Sequence, residues 1–516
     1  LDQLSGNDIV LVTLNDMTSK AAQNFNLNAS ITEFLQKLQS KQKVILSVFG
    51  NPYALKNFDF AQNVILGWNT DEMVQSAVAQ VICGSIGTNA KLPVTASSLA
   101  KFGDGVELTP NSLFSYDFPE NVGMSSFKLQ KVDSIVNDAI KQKAIPGSVV
   151  LVARNGRIVY QKAFGRRTYD TTEAQIGTDA IYDLASITKM GATTLSVMKL
   201  YEEGKLDLDA PISNYLSELK GTDKATLTIR EMMAHHAGLI PWIPFYKKTV
   251  TDSVKNGYPM NTYYQNASSA NFSVPVAQNL FLRNDYTDSV WQKIIQSPLL
   301  KVKSYKYSDL GLIITGKIVE RLTNMPLNQY VMTSIYQPMG LRSIGYKPLE
   351  RISIDRIMPT EQDDYFRQQV IRGYVHDMAS AMLGGVSGHA GLFSNANDLA
   401  VIMQLLLNKG EYNGVRYLKP ETVKLFTTRF QGCSRRGIGF DMKELDTKAQ
   451  QNMCVSASDL AFGHLGFTGT VTWADPKQDL VYVFLSNRTF PSMNNNKLIH
   501  MDTRIKIHQA IYDAIE

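Results

Sequence analysis

Short apolar runs and helical repeats alternate over the first hundred residues of the chain. Apolar residues recur at helical spacing after the capping box Ser30-Ile-Thr-Glu33 and again over residues 71–82. The intervening runs are almost wholly apolar, which is the pattern of strands buried in a parallel sheet; they cover residues 8–13, 43–49 and 63–67. This strand–helix alternation predicts a small α/β sandwich domain over residues 1–108.

The pattern changes after residues 109–124, which contain two prolines, show no periodicity and predict a linker. A helical repeat over 127–143 is followed by two apolar strands on either side of Asn155-Gly156, a dipeptide typical of two-residue hairpins. A second hairpin is predicted across Asp475, near the end of the chain. Because antiparallel strands lie at both ends of residues 125–516, we expect these ends to join one sheet in a second domain of the α+β class.

Composition narrows the class of protein. With 516 residues, 44% of them hydrophobic and 19% charged, the chain has the make-up of a globular protein of two or more domains. The net charge of +5 is spread thinly without a Lys/Arg run, which argues against nucleic-acid binding. No apolar run approaches the roughly 20 residues that a membrane-spanning helix needs. The first residue is Leu1 and no signal-like stretch follows, so we expect a processed or excised fragment.

Cysteine and histidine usage argues against structural cross-links and metal sites. Three cysteines without C-x-x-C spacing, Cys83, Cys433 and Cys454, favour neither a disulfide framework nor structural zinc. Cys433 and Cys454 could pair, although buried thiols are the favoured interpretation. The seven histidines form no H-E-x-x-H motif, so we predict neither a metal nor another cofactor.

The candidate nucleophile lies in the segment Ser186-Ile-Thr-Lys189, which precedes a helical repeat. Residues three apart share one face of a helix, so Lys189 can reach the Ser186 oxygen. Serine needs an adjacent base, and a lysine whose pKa is lowered by desolvation can serve as one. Taken alone, the spacing also fits an ordinary solvated helix start.

Two further motifs lie far away in sequence. They are Tyr307-Ser308-Asp309, before an apolar helix, and His464-Leu465-Gly466, before the second hairpin. The predicted sheet would bring both motifs to Ser186. Considered singly, Tyr307 could be a core aromatic residue, His464 a sheet histidine and Asp309 a helix N-cap.

These three motifs resemble, in order and spacing, those of the serine β-lactamase, penicillin-binding protein and esterase superfamily, and most closely its class C branch. The resemblance covers about residues 125–516 and implies a β-lactamase/transpeptidase-like fold. It also implies that Ser186 forms an acyl-enzyme and that Lys189 and Tyr307 share the proton transfers, with either as base. The backbone N–H groups of Ser186 and Phe467 would form the oxyanion hole.

Departures from the superfamily pattern narrow the chemistry. Lactamases usually have Lys-Thr-Gly where this chain has His464-Leu465-Gly466, and Asp309 replaces an asparagine whose amide binds a substrate carbonyl. These differences weaken recognition of a β-lactam, so we expect an esterase or peptidase and little penicillin hydrolysis. If the charge of His464 contributes, activity should change between about pH 5.5 and 7.5.

The first hundred residues resemble the second, α/β domain of family-3 glycoside hydrolases. The matching sequence motifs are Phe49-Gly-Asn-Pro-Tyr53 and the segment from Cys83 to Val94. In that family the nucleophilic aspartate lies in a preceding barrel, which this chain lacks, and the first histidine here is His235. The fragment is therefore not expected to cleave glycosides by itself.

A segment rich in Tyr, Asn and Ser, residues 242–301, is open to two interpretations. It could cover the cleft or be a surface loop, and its aromatic residues include Tyr246, Tyr258 and Trp291. The glycine-rich segment Gly384 to Gly391 lacks the order of a phosphate-binding loop and predicts a tight backbone wall.

Together these features predict a serine hydrolase acting on an ester or peptide-like amide of small-molecule or peptidoglycan origin. The pairing with a glycosidase-like domain suggests an extracytoplasmic bacterial protein whose parent chain carries a β-N-acetylglucosaminidase barrel. Two alternatives stay open: a non-catalytic module that binds cell-wall fragments or penicillin, and the accessory half of a glycosidase.

Overall fold

The chain divides into two compact units, residues 1–115 and 116–516. The computed structural model describes residue 4 and residues 6–111, 113–250 and 262–516. In the first unit, three parallel strands are ordered as they occur in the chain, and they are Ile9–Leu14, Lys43–Phe49 and Val64–Gly67. Two helices, Ala29–Gln39 and Glu72–Ile82, join this sheet in the predicted alternation.

The first helix begins earlier than the capping-box prediction. Asn28 is its N-cap, and its side-chain oxygen accepts hydrogen bonds from the Ile31 backbone N–H and the Ser30 hydroxyl. The predicted Ser30–Glu33 box is therefore wrong, because Asn28 offers an equally good cap two residues upstream. The helix packs its apolar side against the sheet through Ile31 and Leu35, and Leu38 is also buried.

The second unit is built on a seven-stranded sheet that joins both ends of residues 125–516. The order of its strands across the sheet is Asp441–Met442, Phe462–Leu465, Val471–Asp475, Leu480–Ser486, Gly147–Arg154, Arg157–Gly165 and Ser115–Tyr116. Pairing between the first six is antiparallel. The hairpin at Asn155-Gly156 has positive φ angles at both residues, +51° and +71°, as a type I′ turn requires.

Helices cover this sheet on both faces. Ser126–Lys141 and Thr503–Asp513 pack against one face, and Ala396–Leu407 contacts the central strands. The core between them is apolar and fully buried, with Val150, Phe484 and Ile511 at its centre. The predicted α/β and α+β fold class is confirmed.

The rest of the second unit consists of shorter helices and small antiparallel sheets. The α-helices are Leu195–Glu202, Ile229–Met233, Tyr286–Ile295, Leu310–Thr323, Leu327–Val331, Met378–Met382, Pro420–Phe426 and Lys497–His500. The small antiparallel sheets pair Tyr264–Gln265 and Val274–Ala277 with Leu280–Leu282, Pro359–Asp363 with Gln369–Arg372, Tyr182–Asp183 with Phe393–Ser394, and Glu411–Tyr412 with Val415–Arg416. The predicted terminal helix is two helices, because Asp502 adopts a left-handed conformation between them.

All three cysteines are free thiols, and only Cys454 is fully buried. Across the described part of the chain, no helix has both the length and the apolar character needed to cross a membrane. No group of three or more His, Cys, Asp or Glu side chains among the described residues is arranged to hold a metal ion.

Candidate active site

Ser186 lies in a tight turn directly after the strand Tyr182–Asp183. The turn is the 3₁₀ segment Ala185–Ile187, and Ala185 has a φ of +47°, a conformation that costs free energy for any residue with a side chain. The Asp183 carboxylate stabilises the turn by accepting the Ala185 backbone N–H at 2.8 Å. Burial raises the pKa of Asp183, although its two backbone hydrogen bonds oppose that rise.

Lys189 is buried at the start of the following helix, where its amine is surrounded by polar groups. Its Nζ donates to Ser186 Oγ at 2.8 Å and to the carbonyl oxygen of His389 at 3.2 Å. Another partner is the Asp309 carboxylate, whose Oδ1 is 2.8 Å from Nζ. The i, i+3 reach expected from the sequence therefore exists, and the first turn of this helix is π-helical, Lys189–Thr194.

The Asp309 carboxylate counteracts the effect of burial on Lys189. Burial alone lowers the pKa of a lysine, but the charge of Asp309 and the interactions with Tyr307 outweigh burial here, so the pKa of Lys189 is raised. This direction favours the protonated form of Lys189, whose Nζ donates to Ser186 Oγ. Of the two bases that the sequence leaves open, Tyr307 is the one that this direction favours.

Tyr307 lies between two cations and two histidine rings. The Lys189 Nζ and the Arg436 guanidinium carbon are 5.0 and 5.1 Å from the centre of the Tyr307 ring. The rings of His235 and His464 are 4.4 and 6.3 Å away, centre to centre. With two cations this close to its ring, Tyr307 is a candidate base for Ser186.

His464 lies beside Arg436 in the strand Phe462–Leu465. Its Nδ1 donates to the Leu465 carbonyl oxygen at 2.7 Å, and its Nε2 faces the Arg436 guanidinium at 3.4 Å. Burial, followed by the charge of Arg436, lowers the pKa of His464 to about 3. The expectation that its charge could change between about pH 5.5 and 7.5 is therefore wrong, because a buried imidazole next to a fixed cation stays neutral.

Arg436 supplies the cation that the His464-Leu465-Gly466 motif lacks. It is 3% exposed, and its Nη1 lies 3.7 Å from the Asp441 carboxylate. Burial lowers the pKa of Arg436, but Asp441 and the two nearby tyrosines outweigh burial and raise it. A guanidinium in this environment is permanently charged.

The segment from Gly466 to Thr470 runs past the turn that holds Ser186. The Thr468 hydroxyl donates to the Asp183 carbonyl oxygen at 2.7 Å, and the Thr470 hydroxyl donates to the Leu184 carbonyl oxygen at 3.2 Å. Gly466 is required by close approach, since a Cβ there would lie 2.6 Å from the Leu184 oxygen and would collide with Thr470 Oγ1. The backbone of Phe467 is thereby placed next to Ser186.

The glycine-rich segment forms a backbone wall behind Lys189. The His389 ring is fixed by Ser387 Oγ at Nδ1 and by Asp377 Oδ1 at Nε2, both at 2.8 Å. This clamp orients the His389 carbonyl that accepts from Lys189. The ion pair with His389 holds the pKa of Asp377 well below its usual range in spite of burial.

A cavity of about 430 Å³ opens over these groups. Its lining includes Ser186, Tyr307, Asp309 and Phe467, together with aromatic residues from the start of the Tyr-rich segment. Trp242 and Tyr246 line the cavity, so part of that segment contacts the site, and Tyr258 lies outside the described residues. The structure thus brings Ser186, Lys189, Tyr307, Asp309, His464, Gly466 and Phe467 into one place.

Comparison with known proteins agrees with this geometry. The protein family described as Beta-lactamase matches residues 132–502. The chain belongs to the Beta-lactamase family. This membership confirms the predicted class of enzyme, a serine hydrolase.

Curated relatives of this Beta-lactamase-family chain include proteins named "Putative D-alanyl-D-alanine carboxypeptidase" from Salmonella. Those of Salmonella schwarzengrund and Salmonella paratyphi B are each 34% identical over 408 residues, covering 74% of this chain and 87% of the relative. Among solved structures, EstCE1, a hydrolase with promiscuous acyltransferase activity, has a TM-score of 0.53 at 22% identity over 75% of this chain and 99% of its own. A penicillin-binding protein homologue from Caulobacter crescentus has a TM-score of 0.53 at 18% identity, over 76% and 99%. Both structures share the fold.

Two polar groups of this Beta-lactamase-family site were not predicted from the sequence. Arg436 lies 3.4 Å from His464, which is 28 residues further along the chain, and His376 lines the cavity beside Phe467. Each residue had a weak local signal in the sequence. Arg435-Arg436 precedes a Gly-x-Gly turn. His376-Asp377 precedes a short helix, in a chain that contains only seven histidines. Neither segment carries a spacing that identifies its partner.

Proposed function

We propose that this protein hydrolyses an ester or a peptide-like amide through an acyl-enzyme on Ser186. The observation that carries the proposal is the contact of Lys189 Nζ with both Ser186 Oγ and Asp309, directly beside Tyr307. This arrangement provides a nucleophile, a fixed cation and a candidate base in one cavity.

Tyr307 is the proposed base for acylation. The raised pKa of Lys189 favours its protonated form, which makes Tyr307 the better candidate to take the Ser186 proton. The Tyr307 oxygen, on a side chain that lies beside Lys189 and Arg436, accepts the proton as Ser186 Oγ attacks the acyl carbon. The Ser186 and Phe467 backbone N–H groups, which donate to no other described residue, hold the oxyanion. Tyr307 then returns the proton to the leaving group.

The proposed substrate is peptidoglycan-derived or a related small ester. The names of the relatives from Salmonella point to D-alanyl-D-alanine peptides, and EstCE1 supports ester chemistry on the same fold. Asp309 accepts hydrogen bonds but cannot donate one to a substrate carbonyl, so penicillin hydrolysis is expected to be slow. Such a substrate places the protein in the bacterial periplasm or cell envelope.

Active-site labelling tests this proposal. Wild-type protein and Ser186→Ala are treated with a fluorophosphonate and with fluorescent penicillin, and both are assayed for turnover of a p-nitrophenyl ester and of a D-alanyl-D-alanine peptide. Adduct formation and turnover that depend on Ser186 are expected. A wild-type protein that binds penicillin reversibly, with neither adduct nor turnover, would instead favour the non-catalytic binding module.

For the first unit we propose a family-3 glycoside hydrolase α/β domain that packs against a catalytic barrel in the parent protein. Besides the sequence resemblance, the support is its exposed apolar surface, which is unusual for a domain that works alone. The side chains more than half exposed include Ile9, Leu11, Met73, Leu99, Phe102 and Val106. This chain is expected to show no activity toward an aryl N-acetylglucosaminide, and measurable activity would contradict the assignment.

A further inference from the structure

A second polar pair in the same cavity, His376 with Glu361, has no role in acylation as proposed above. His376 is 4% exposed, and its Nε2 lies 2.8 Å from Glu361 Oε2. Glu361 is itself 1% exposed and is fixed by the Tyr365 hydroxyl at 2.9 Å and the Met493 backbone N–H at 2.7 Å. The carboxylate is therefore a rigid, buried partner for one nitrogen of the imidazole.

Nδ1 of His376 makes no hydrogen bond to any residue that the structure describes, and His376 lines the cavity that contains Ser186 and Tyr307. Since a carboxylate accepts from Nε2–H, the neutral ring carries its lone pair on Nδ1. A carboxylate on one nitrogen and an open lone pair on the other is the arrangement that orients a histidine for acid–base catalysis.

The position of His376 is tied to the reacting centre by two contacts. Its backbone N–H donates to Asp183 Oδ2 at 2.6 Å, and the other oxygen of that carboxylate holds Ala185, next to Ser186. Its ring lies 5.6 Å from the ring of Phe467, centre to centre, with 31° between the planes. The imidazole therefore lies beside Phe467, whose backbone N–H is one of the two expected oxyanion donors.

We propose that His376, oriented by Glu361, is the general base that activates water for release of the acyl group from Ser186. The inference rests on the proposed acyl-enzyme. One water proton passes to Nδ1 while the water oxygen bonds to the acyl carbon. The tetrahedral intermediate then breaks its bond to Ser186 Oγ, which takes a proton from Lys189 Nζ. The imidazolium releases its proton to solvent, and Lys189 regains one from solvent.

This assignment divides the two half-reactions between two bases. Tyr307 and its neighbouring cations serve the attack by Ser186, and His376 serves the attack by water. Glu361 is a positioning residue, because it acts through the imidazole and not on the substrate.

Pre-steady-state hydrolysis of a p-nitrophenyl ester tests the division. In His376→Gln the side-chain amide can still reach Glu361, but the lone pair at the Nδ1 position is lost. The first equivalent of nitrophenol is expected at the wild-type rate, followed by turnover about 100-fold slower, the scale of a lost general base. Intact mass spectrometry should then show the acyl adduct on most of the protein, and hydroxylamine should restore turnover because it attacks without a base.

Glu361→Gln and His500→Gln complete the experiment. Glu361→Gln, which leaves His376 in place, should slow the second phase alone, by about 10-fold, and gives the same test if His376→Gln does not fold. His500 is an exposed histidine, and its substitution should change neither phase. Equal slowing of both phases in His376→Gln, or unchanged turnover, overturns the inference. Absence of a Ser186-dependent adduct in wild-type protein overturns the proposed function instead.

Discussion

Asp309 determines the charge state of the candidate site. In the superfamily pattern this position is an asparagine, which is neutral, whereas here a carboxylate lies 2.8 Å from Lys189 Nζ and raises the pKa of that lysine. The same substitution removes an amide donor from the cavity. A single side chain thus favours Tyr307 as the base and disfavours substrates whose carbonyl must be held by an amide.

Asp309→Asn is therefore expected to shift the preference of the enzyme toward β-lactams. The variant regains the amide donor, and a hydrogen bond of ordinary strength corresponds to about a 10-fold change in rate. The measurement is the rate of labelling by fluorescent penicillin divided by the rate of acylation by a p-nitrophenyl ester. Asp209→Asn, which changes an exposed aspartate paired with Arg230, is the matched control. An unchanged or lower ratio in Asp309→Asn would contradict this account.

Arg436 is expected to support acylation by its charge, and His464 to do so as a neutral group. Arg436→Met should slow acylation about 10- to 100-fold, because one of two cations beside the Tyr307 ring is lost. Arg435→Gln, which removes the other partner of Asp441, should leave the rate of acylation nearly unchanged. His464→Gln should not alter the shape of the rate profile between pH 5.5 and 7.5, since the pKa of His464 is about 3. Stopped-flow acylation measured across pH distinguishes these variants.

Among the structural elements, local sequence signals predicted the structure correctly where the geometry depends on a few consecutive residues. Asn155-Gly156 forms the predicted hairpin. The reach of Lys189 to Ser186 follows from helix geometry in the same way. Arg436 and His376 could not be predicted, because their partners lie across strand pairs and loops that no local spacing specifies.

The segment Gly466 to Thr470 is the element whose backbone position matters most for catalysis. Gly466→Ala would place a Cβ 2.6 Å from the Leu184 oxygen, so the strand must move away from the Ser186 turn. Displacement of the Phe467 N–H is expected to lower kcat about 100-fold, the typical cost of one oxyanion-hole donor. Gly6→Ala is the control, since a Cβ there would meet no atom within 4 Å. Retained kcat in Gly466→Ala would show that Phe467 does not hold the oxyanion.

Histidines that are buried and neutral in the folded protein are expected to make the whole molecule less stable toward unfolding in mild acid. Burial is the main cause that lowers the pKa of His464 and of His508 to about 3, and that of His235 well below its usual value. Between pH 6.5 and 3 the unfolded chain binds protons at these positions and the folded chain does not, so stability rises with pH in this window. Each histidine contributes a slope of about 1.4 kcal/mol per pH unit at most.

A substitution of His508 tests the pH dependence of stability without disturbing the candidate active site. His508 lies in the core, stacked on Tyr482 with 5.2 Å between ring centres. The urea midpoint of the wild-type protein is expected to fall as pH is lowered from 6.5 to 4.5, whereas His508→Gln should show a shallower fall from a lower starting value. The carboxylate of Asp183, whose pKa is raised, acts with the opposite sign but equally in both proteins, so the difference between them isolates one histidine. His500→Gln, an exposed position, should follow the wild-type curve. Parallel curves for His508→Gln and wild type would mean that His508 is protonated in the folded protein and that burial does not hold it neutral.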